Sequence, residues 1–181
     1  YITDRYKIDK FITVKSPLTT NTYKKLLEKI SDEQIPILFK VAGQKINVNN
    51  SLFEIYWPPK NFSSLNDNDF SSVILIECCS GASRQAQTIL FTGDASPFIL
   101  SRLSNTSLNK ISILKIPHHG SKNGLIKKFL DLADPGVAVI SVGKDNSYGH
   151  PSKQTLDMLK AKNVKILRTD EVGDIVFNLK E

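Results

Sequence analysis

A chain of 181 residues is long enough for one domain with a proper core and short for two. Hydrophobic residues make up 40% and charged residues 23%, ordinary for a folded globular protein, and no run of about 18 apolar residues offers a membrane-spanning helix. The formal net charge of +6 favours an anionic partner such as nucleic acid, although the lysines are scattered rather than clustered. The opening stretch, YITDRYKIDKF, has neither an initiating Met nor the apolar core of a signal peptide, and reads as a fragment boundary.

In chain order, IDKFITV at 8–14 reads as a short strand. TTNTYKKLLEKISDEQ, 19–34, reads as a helix with Thr19 or Thr20 as N-cap. Its Tyr23, Leu26, Leu27 and Ile30 form one apolar stripe, which is core rather than a functional surface. Strands follow at IPILFK, QKINVN and LFEIYWPP, then a polar loop, KNFSSLNDNDFS, at 60–71. SVILIECC and QAQTILFTG are apolar strands joined as a hairpin through SGASR. Cys78 and Cys79 sit side by side in a strand and point to opposite faces, so they do not pair with each other and assign no redox compartment. A short helix at SPFILSRL precedes a regular alternation. It runs strand ISILKIP, helix LIKKFLDLA, strand GVAVISVG, helix SKQTLDMLKAK, strand VKILRTD and strand DIVFNLK. There is no internal repeat. Strands alternating with helices predict a single α/β layered domain over 1–181, and the continuous apolar runs predict strands covered on both faces.

In such sheets the chemistry gathers at the carboxyl ends of the strands. QTILFTGD ends a strand with Gly93 and Asp94, ISILKIPHHGS ends one with His118 and His119, and VAVISVGKDNSYGH ends one with Lys144, Asp145, Asn146 and His150. Each alone is also an ordinary polar turn, as is NDND at 66–69. Together they place carboxylate and imidazole donors beside glycines at three strand ends, as a divalent ion coordinated at about 2.0–2.3 Å from several elements requires.

The succession FTGD, LKIPHHGSK, PGVAVISVGKDNSYGHPSKQTLDMLK and RTDEVGDIVF resembles the metallo-β-lactamase-like domain of the ComEC family of competence DNA channels. LFEIYWPPK and LNDNDFSSVILIE are similar to the segments that precede the TGD motif in that family. The resemblance runs from about residue 8 to the end of the chain, and residues 91–178 carry most of its specificity.

The resemblance implies a metallo-β-lactamase-like αββα sandwich holding one or two divalent ions, Zn²⁺ or Mn²⁺, in a hydrolase that degrades one DNA strand during uptake. Asp94 matches the aspartate that bridges two metals, and His150 the late histidine ligand. His118 and His119 match the family's paired histidines, one for the metal and one for the substrate phosphate, with the assignment open. Asp67, with Asn66 and Asn68, stands where a further oxygen ligand is expected, which would tilt preference toward Mn²⁺ or Mg²⁺. Lys122 and Lys144 flank the histidine motifs and could stabilise charge on a phosphate. Ser121 and Asn146 are further candidates for substrate contacts.

One departure from the family pattern governs the rest. The superfamily takes most ligands of its first metal from an HxHxDH loop, and no histidine precedes His118 in this chain. The expectation is a sandwich incomplete on its N-terminal side, weak or single metal binding by this chain alone, exposed apolar surface, and self-association. The implied partners are DNA and a membrane-embedded channel portion of the same protein, with this domain outside the cytoplasm. The alternatives are a freestanding hydrolase of another phosphate ester and a non-catalytic DNA-binding or structural module.

Overall fold

The computed structural model describes residues 3–14, 20–64, 66–78, 87–106, 108 and 110–178. They divide into two compact units, Tyr1–Val41 and Ala42–Glu181.

The first unit is a β-α-β crossover. Strand β1 (Phe11–Thr13) pairs in parallel with β2 (Ile37–Phe39), and helix α1 (Asn21–Asp32) connects them. Thr20 caps α1, its hydroxyl accepting a hydrogen bond from the Tyr23 N–H at 3.3 Å. Of the apolar stripe, Ile30 is buried and Leu26 lies exposed. The stripe is therefore narrower than helical spacing suggests.

The second unit is built on a seven-stranded sheet in sequence order. Strands β3 (Lys45–Val48), β4 (Ser51–Trp57), β5 (Val73–Cys78) and β6 (Gln87–Phe91) are antiparallel. From β6 onward the sheet is parallel, through β7 (Ile113–Lys115), β8 (Val137–Ile140) and β9 (Lys165–Arg168). The switch results from the connections. Residues 49–50 turn β3 back onto β4, whereas helices α2 (Pro97–Leu103), α3 (Lys127–Ala133) and α4 (Lys153–Ala161) carry the chain back to start each parallel strand from the same end. The expected hairpin turn at 80–84 and the outward side chain of Cys79 lie outside the described residues.

One face of this sheet packs against the helices. Leu90, Leu114, Ala138 and Ile140 meet Leu100, Phe129 and Leu159 in a single core, all fully buried. Covered faces on both sides were expected, but the opposite face is less enclosed. Ile74, Ile76, Ile89, Val137 and Val139 lie on it by register and are only partly buried, and Phe91 there is 43% exposed.

The last expected strand, DIVFNLK, does not form over 174–178. After β9 the chain makes one helical turn, α5 (Thr169–Val172). Local polar bonds impose it. The Arg168 guanidinium pairs with Asp170 and Glu171, and the Thr169 hydroxyl donates to the Val142 carbonyl at 2.7 Å and accepts from the Val142 N–H at 2.8 Å.

Candidate functional site

The site is assembled from the turns at the ends of β6, β7 and β8, the three strand ends expected to carry the chemistry. After β6 the chain turns at Gly93, whose φ of +54° is in the left-handed region. A Cβ there would lie 3.0 Å from that of Ser71. Ser71 fastens the turn, its hydroxyl accepting the Asp94 N–H at 3.1 Å. Behind it lies Asp69, nearly buried. Its carboxylate accepts from the Ser64 hydroxyl at 2.6 Å, the Asn66 amide at 3.3 Å and the Ser96 hydroxyl. The Trp57 indole N–H donates to the Asp69 carbonyl at 2.7 Å. Asp67, the candidate ligand of that loop, is exposed on the 3-10 turn of residues 67–70. Asp69 is the carboxylate of this loop that turns inward, and its partners brace the segment on which Asp94 stands.

After β7 the paired histidines occupy a second 3-10 turn, Pro117–Gly120. His118 (φ 48°, ψ 46°) and His119 (φ 53°, ψ 23°) are both left-handed, a conformation that costs non-glycine residues about 1–3 kcal/mol each and gathers at functional sites. Close packing holds it. A Cβ on Gly120 would meet that of Pro151 at 2.7 Å, and one on Gly124 would meet the Pro117 carbonyl oxygen at 2.8 Å.

These turns bring Asp94 and His119 together. His119 Nε2 stands 3.6 Å from Asp94 Oδ1. The other ring nitrogen, Nδ1, lies 2.7 Å from the Ser141 carbonyl oxygen. A carbonyl only accepts, so Nδ1 carries the hydrogen in that bond and Nε2 is the ring nitrogen turned to Asp94. His118 and His150 stand beside this pair, with ring centroids 6.1 Å apart for His118–His150 and 6.4 Å for His118–His119. Burial, and secondarily the charge of His118 and His119, hold the His150 imidazole below its ordinary pKa. That favours the neutral, lone-pair-bearing ring.

Sequence reasoning missed Lys115. Its side chain is 16% exposed and its Nζ lies 3.7 Å from Asp94 Oδ1. The ammonium donates to the Gly93 carbonyl at 2.7 Å. Burial pulls its pKa down and the Asp94 carboxylate pulls it back up. The signal was a lysine within the otherwise apolar run ISILKIP, since an unpaired lysine is almost never enclosed.

The other candidates divide. Ser121 is buried; its hydroxyl accepts the Asn123 N–H at 3.4 Å and its carbonyl accepts the Thr155 hydroxyl at 3.2 Å. Asn146 is a brace for His150, its amide donating to the His150 carbonyl at 2.7 Å and its oxygen accepting the His150 N–H at 3.0 Å. Lys122 and Lys144 are exposed on the loops that carry the histidines.

A structural divalent site normally closes with four donors, and a catalytic one keeps three from the protein. Among the described residues no three His, Cys, Asp or Glu side chains form such a group, and the Asp94 carboxylate already faces the Lys115 ammonium. The described residues of this chain do not by themselves complete a metal site. What they offer is a carboxylate, an imidazole and an ammonium converging at adjacent strand ends.

No family model matches the chain. Curated relatives do. It is 27% identical over 176 residues to ComE operon protein 3 of Bacillus subtilis, covering 97% of this chain and 22% of that protein. It is 30% identical over 140 residues to Recombination protein 2 of Haemophilus influenzae, covering 77% of this chain and 17% of that protein. It is 29% identical over 125 residues to Competence protein ComA of Neisseria gonorrhoeae, covering 67% of this chain and 17% of that protein. The chain thus spans about a fifth of the length of these relatives. Among solved structures, CmlA, a diiron β-hydroxylase from Streptomyces venezuelae, superposes with a TM-score of 0.55 at 11% identity, covering 88% of this chain and 38% of that one. A Zn-dependent hydrolase of the metallo-β-lactamase superfamily from Thermotoga maritima gives 0.39 at 16% identity over 74% of each chain, too low to add weight. The CmlA likeness concerns the fold alone. Similarity to these three relatives over 67% to 97% of this chain, with the TGD, HHGS and YGHP motifs on successive strand ends, makes this chain a member of the ComEC family.

Proposed function

We propose that these 181 residues are part of a metallo-β-lactamase-like hydrolase domain that cleaves DNA phosphodiesters during competence. The observation that carries this reading is the meeting of Asp94 with His119 Nε2 at 3.6 Å, at the ends of adjacent parallel strands. Divalent ions, Zn²⁺ or Mn²⁺, would polarise a phosphoryl oxygen and supply a nucleophile at neutral pH. Because the described residues do not complete a metal site, the remaining ligands come from outside them in this reading. What the chain's own residues do is narrower. Ser141 orients the His119 ring, Asn146 orients His150, and Lys115 keeps a positive charge against Asp94 where an anionic substrate would approach. The domain would sit outside the cytoplasm, joined to a membrane-embedded channel portion of the same protein. No helix among the described residues is long and apolar enough to cross a membrane.

The test is release of nucleotides from labelled single- and double-stranded DNA by the longer protein, with Mn²⁺ or Zn²⁺ and with chelator. Asp94→Asn should abolish release, because a neutral amide cannot serve cations as a carboxylate does. His150→Ala should be nearly as severe, and Lys122→Ala mild. Full activity in Asp94→Asn would overturn the assignment, and strong activity of the 181-residue chain alone would show that no outside ligands are needed.

A second reading, a non-catalytic DNA-binding module, is favoured by the ammonium of Lys115 standing against Asp94. It predicts DNA binding that is indifferent to chelator and falls with salt.

A further inference from the structure

We infer that the ring of Tyr148 is a stacking platform for one unpaired nucleobase, adjoining the corner where Asp94 and His119 meet. This rests on the proposed reading of that corner as one that receives DNA, and it names the form of DNA received: a single strand.

Tyr148 is 81% exposed, yet it is held. Its ring lies over the His150 imidazole at 5.9 Å between centroids and 22° between planes. At that separation His150 sets the direction of the ring and leaves it open to solvent. The His150 ring in turn meets His118 at 6.1 Å and 75°, and His118 meets His119 at 6.4 Å and 71°. A continuous file of aromatic rings therefore runs from the Asp94 corner out to solvent and ends on a flat face.

The loop that presents this face is braced from within. Besides its two bonds to His150, the Asn146 amide donates to the Gly143 carbonyl at 3.2 Å. Gly149 takes φ +65° with nothing within 4 Å of a Cβ built on it, so the turn beside the ring is open. Lys144 on the same loop and Lys122 on the loop of the paired histidines are exposed and can meet backbone phosphates. A solvent-facing aromatic ring combined with cations that track the backbone is the way single strands are held without sequence preference. A base inside a duplex is already stacked on its neighbours and cannot occupy such a face, so the platform discriminates by strandedness.

The experiment uses the 181-residue chain and fluorescence anisotropy with a labelled oligothymidylate, an abasic strand of equal length and charge, and a blunt duplex. Tyr148→Ala should weaken oligothymidylate binding by about 10-fold, the scale of one base–aromatic stack, and Tyr148→Phe should retain it. The abasic strand should bind the unsubstituted chain no better than oligothymidylate binds Tyr148→Ala. The salt dependence should keep its slope in both variants, since neither removes a charge. Unchanged binding by Tyr148→Ala, or equal affinity for the abasic strand, would overturn the platform while leaving the DNA reading in place. Failure to bind any of the three probes at low salt would overturn both.

Discussion

Lys115 is the residue on which the site turns. An ammonium that is mostly enclosed must have partners. It has the Gly93 carbonyl at 2.7 Å and the Asp94 carboxylate at 3.7 Å, so one side chain ties the end of β7 to the turn after β6. Lys115→Met would keep most of the volume and remove the charge. The Gly93 carbonyl would still accept the His118 N–H at 3.2 Å, so the expected loss is about 1 kcal/mol, one hydrogen bond, read by urea unfolding. Asp94 would lose its resident cation, so Mn²⁺ titrated into the chain by calorimetry should bind more tightly in Lys115→Met. Unchanged affinity would show that the ammonium and the metal do not compete for the carboxylate. Asp94 and the histidines were legible as candidates because carboxylate and imidazole beside glycine at strand ends are chemically conspicuous. Lys115 was not, because a lysine reads as surface until its strand is known to be central.

The elements that carry the site are short turns under tight steric control. Gly120 closes the paired-histidine turn against the start of α4: its φ is +78° and a Cβ on it would collide with Pro151. Its carbonyl also accepts the Ser152 N–H at 2.9 Å, beside the N-cap of α4, where the Ser152 hydroxyl accepts the Thr155 N–H at 3.2 Å. Gly120→Ala should therefore cost more than about 1 kcal/mol and displace both histidines. Gly143→Ala is the control, because a Cβ there meets nothing within 4 Å; it should stay within about 0.5 kcal/mol. The comparison is the shift in urea midpoint of the two variants, and equal shifts would mean that the Gly120–Pro151 approach relaxes freely. Helix α4 and its Ser152 cap were readable from local pattern. The final strand is misread from sequence because DIVFNLK has the right alternation but, over 174–178, no pairing neighbour among the described residues, while Arg168 and Thr169 curl the preceding residues into α5.

Across the whole molecule, the sheet has one finished face and one unfinished one. The helix-covered face holds the fully buried core. On the other face apolar side chains such as Ile76, Ile89 and Val139 remain partly open. The outer strands of the sheet, β3 and β9, each have one neighbour among the described residues. Partly open apolar faces and free strand edges promote association. The 181-residue chain should therefore sediment as a dimer or larger species at micromolar concentration. A clean monomer would show that this face is stable in water as it stands.

Periodicity and turn chemistry determined the α/β class, the succession of helices α1 to α4, and the three motifs that matter, because apolar spacing and cap or turn residues act over a few positions of the chain. Strand order, the change from antiparallel to parallel pairing at β6, and the openness of the second face were decided only by tertiary structure. They depend on pairings between residues more than twenty positions apart, such as Ile89 with Ile113 and Ile113 with Val137. The same holds within the site. Sequence could say that Asp94, His118, His119 and His150 are all candidates, but not that His119 is the one turned to Asp94. That choice is made by the Ser141 carbonyl, which takes the Nδ1 hydrogen from a strand end more than twenty residues away, and by the left-handed turn that points the two adjacent rings in different directions.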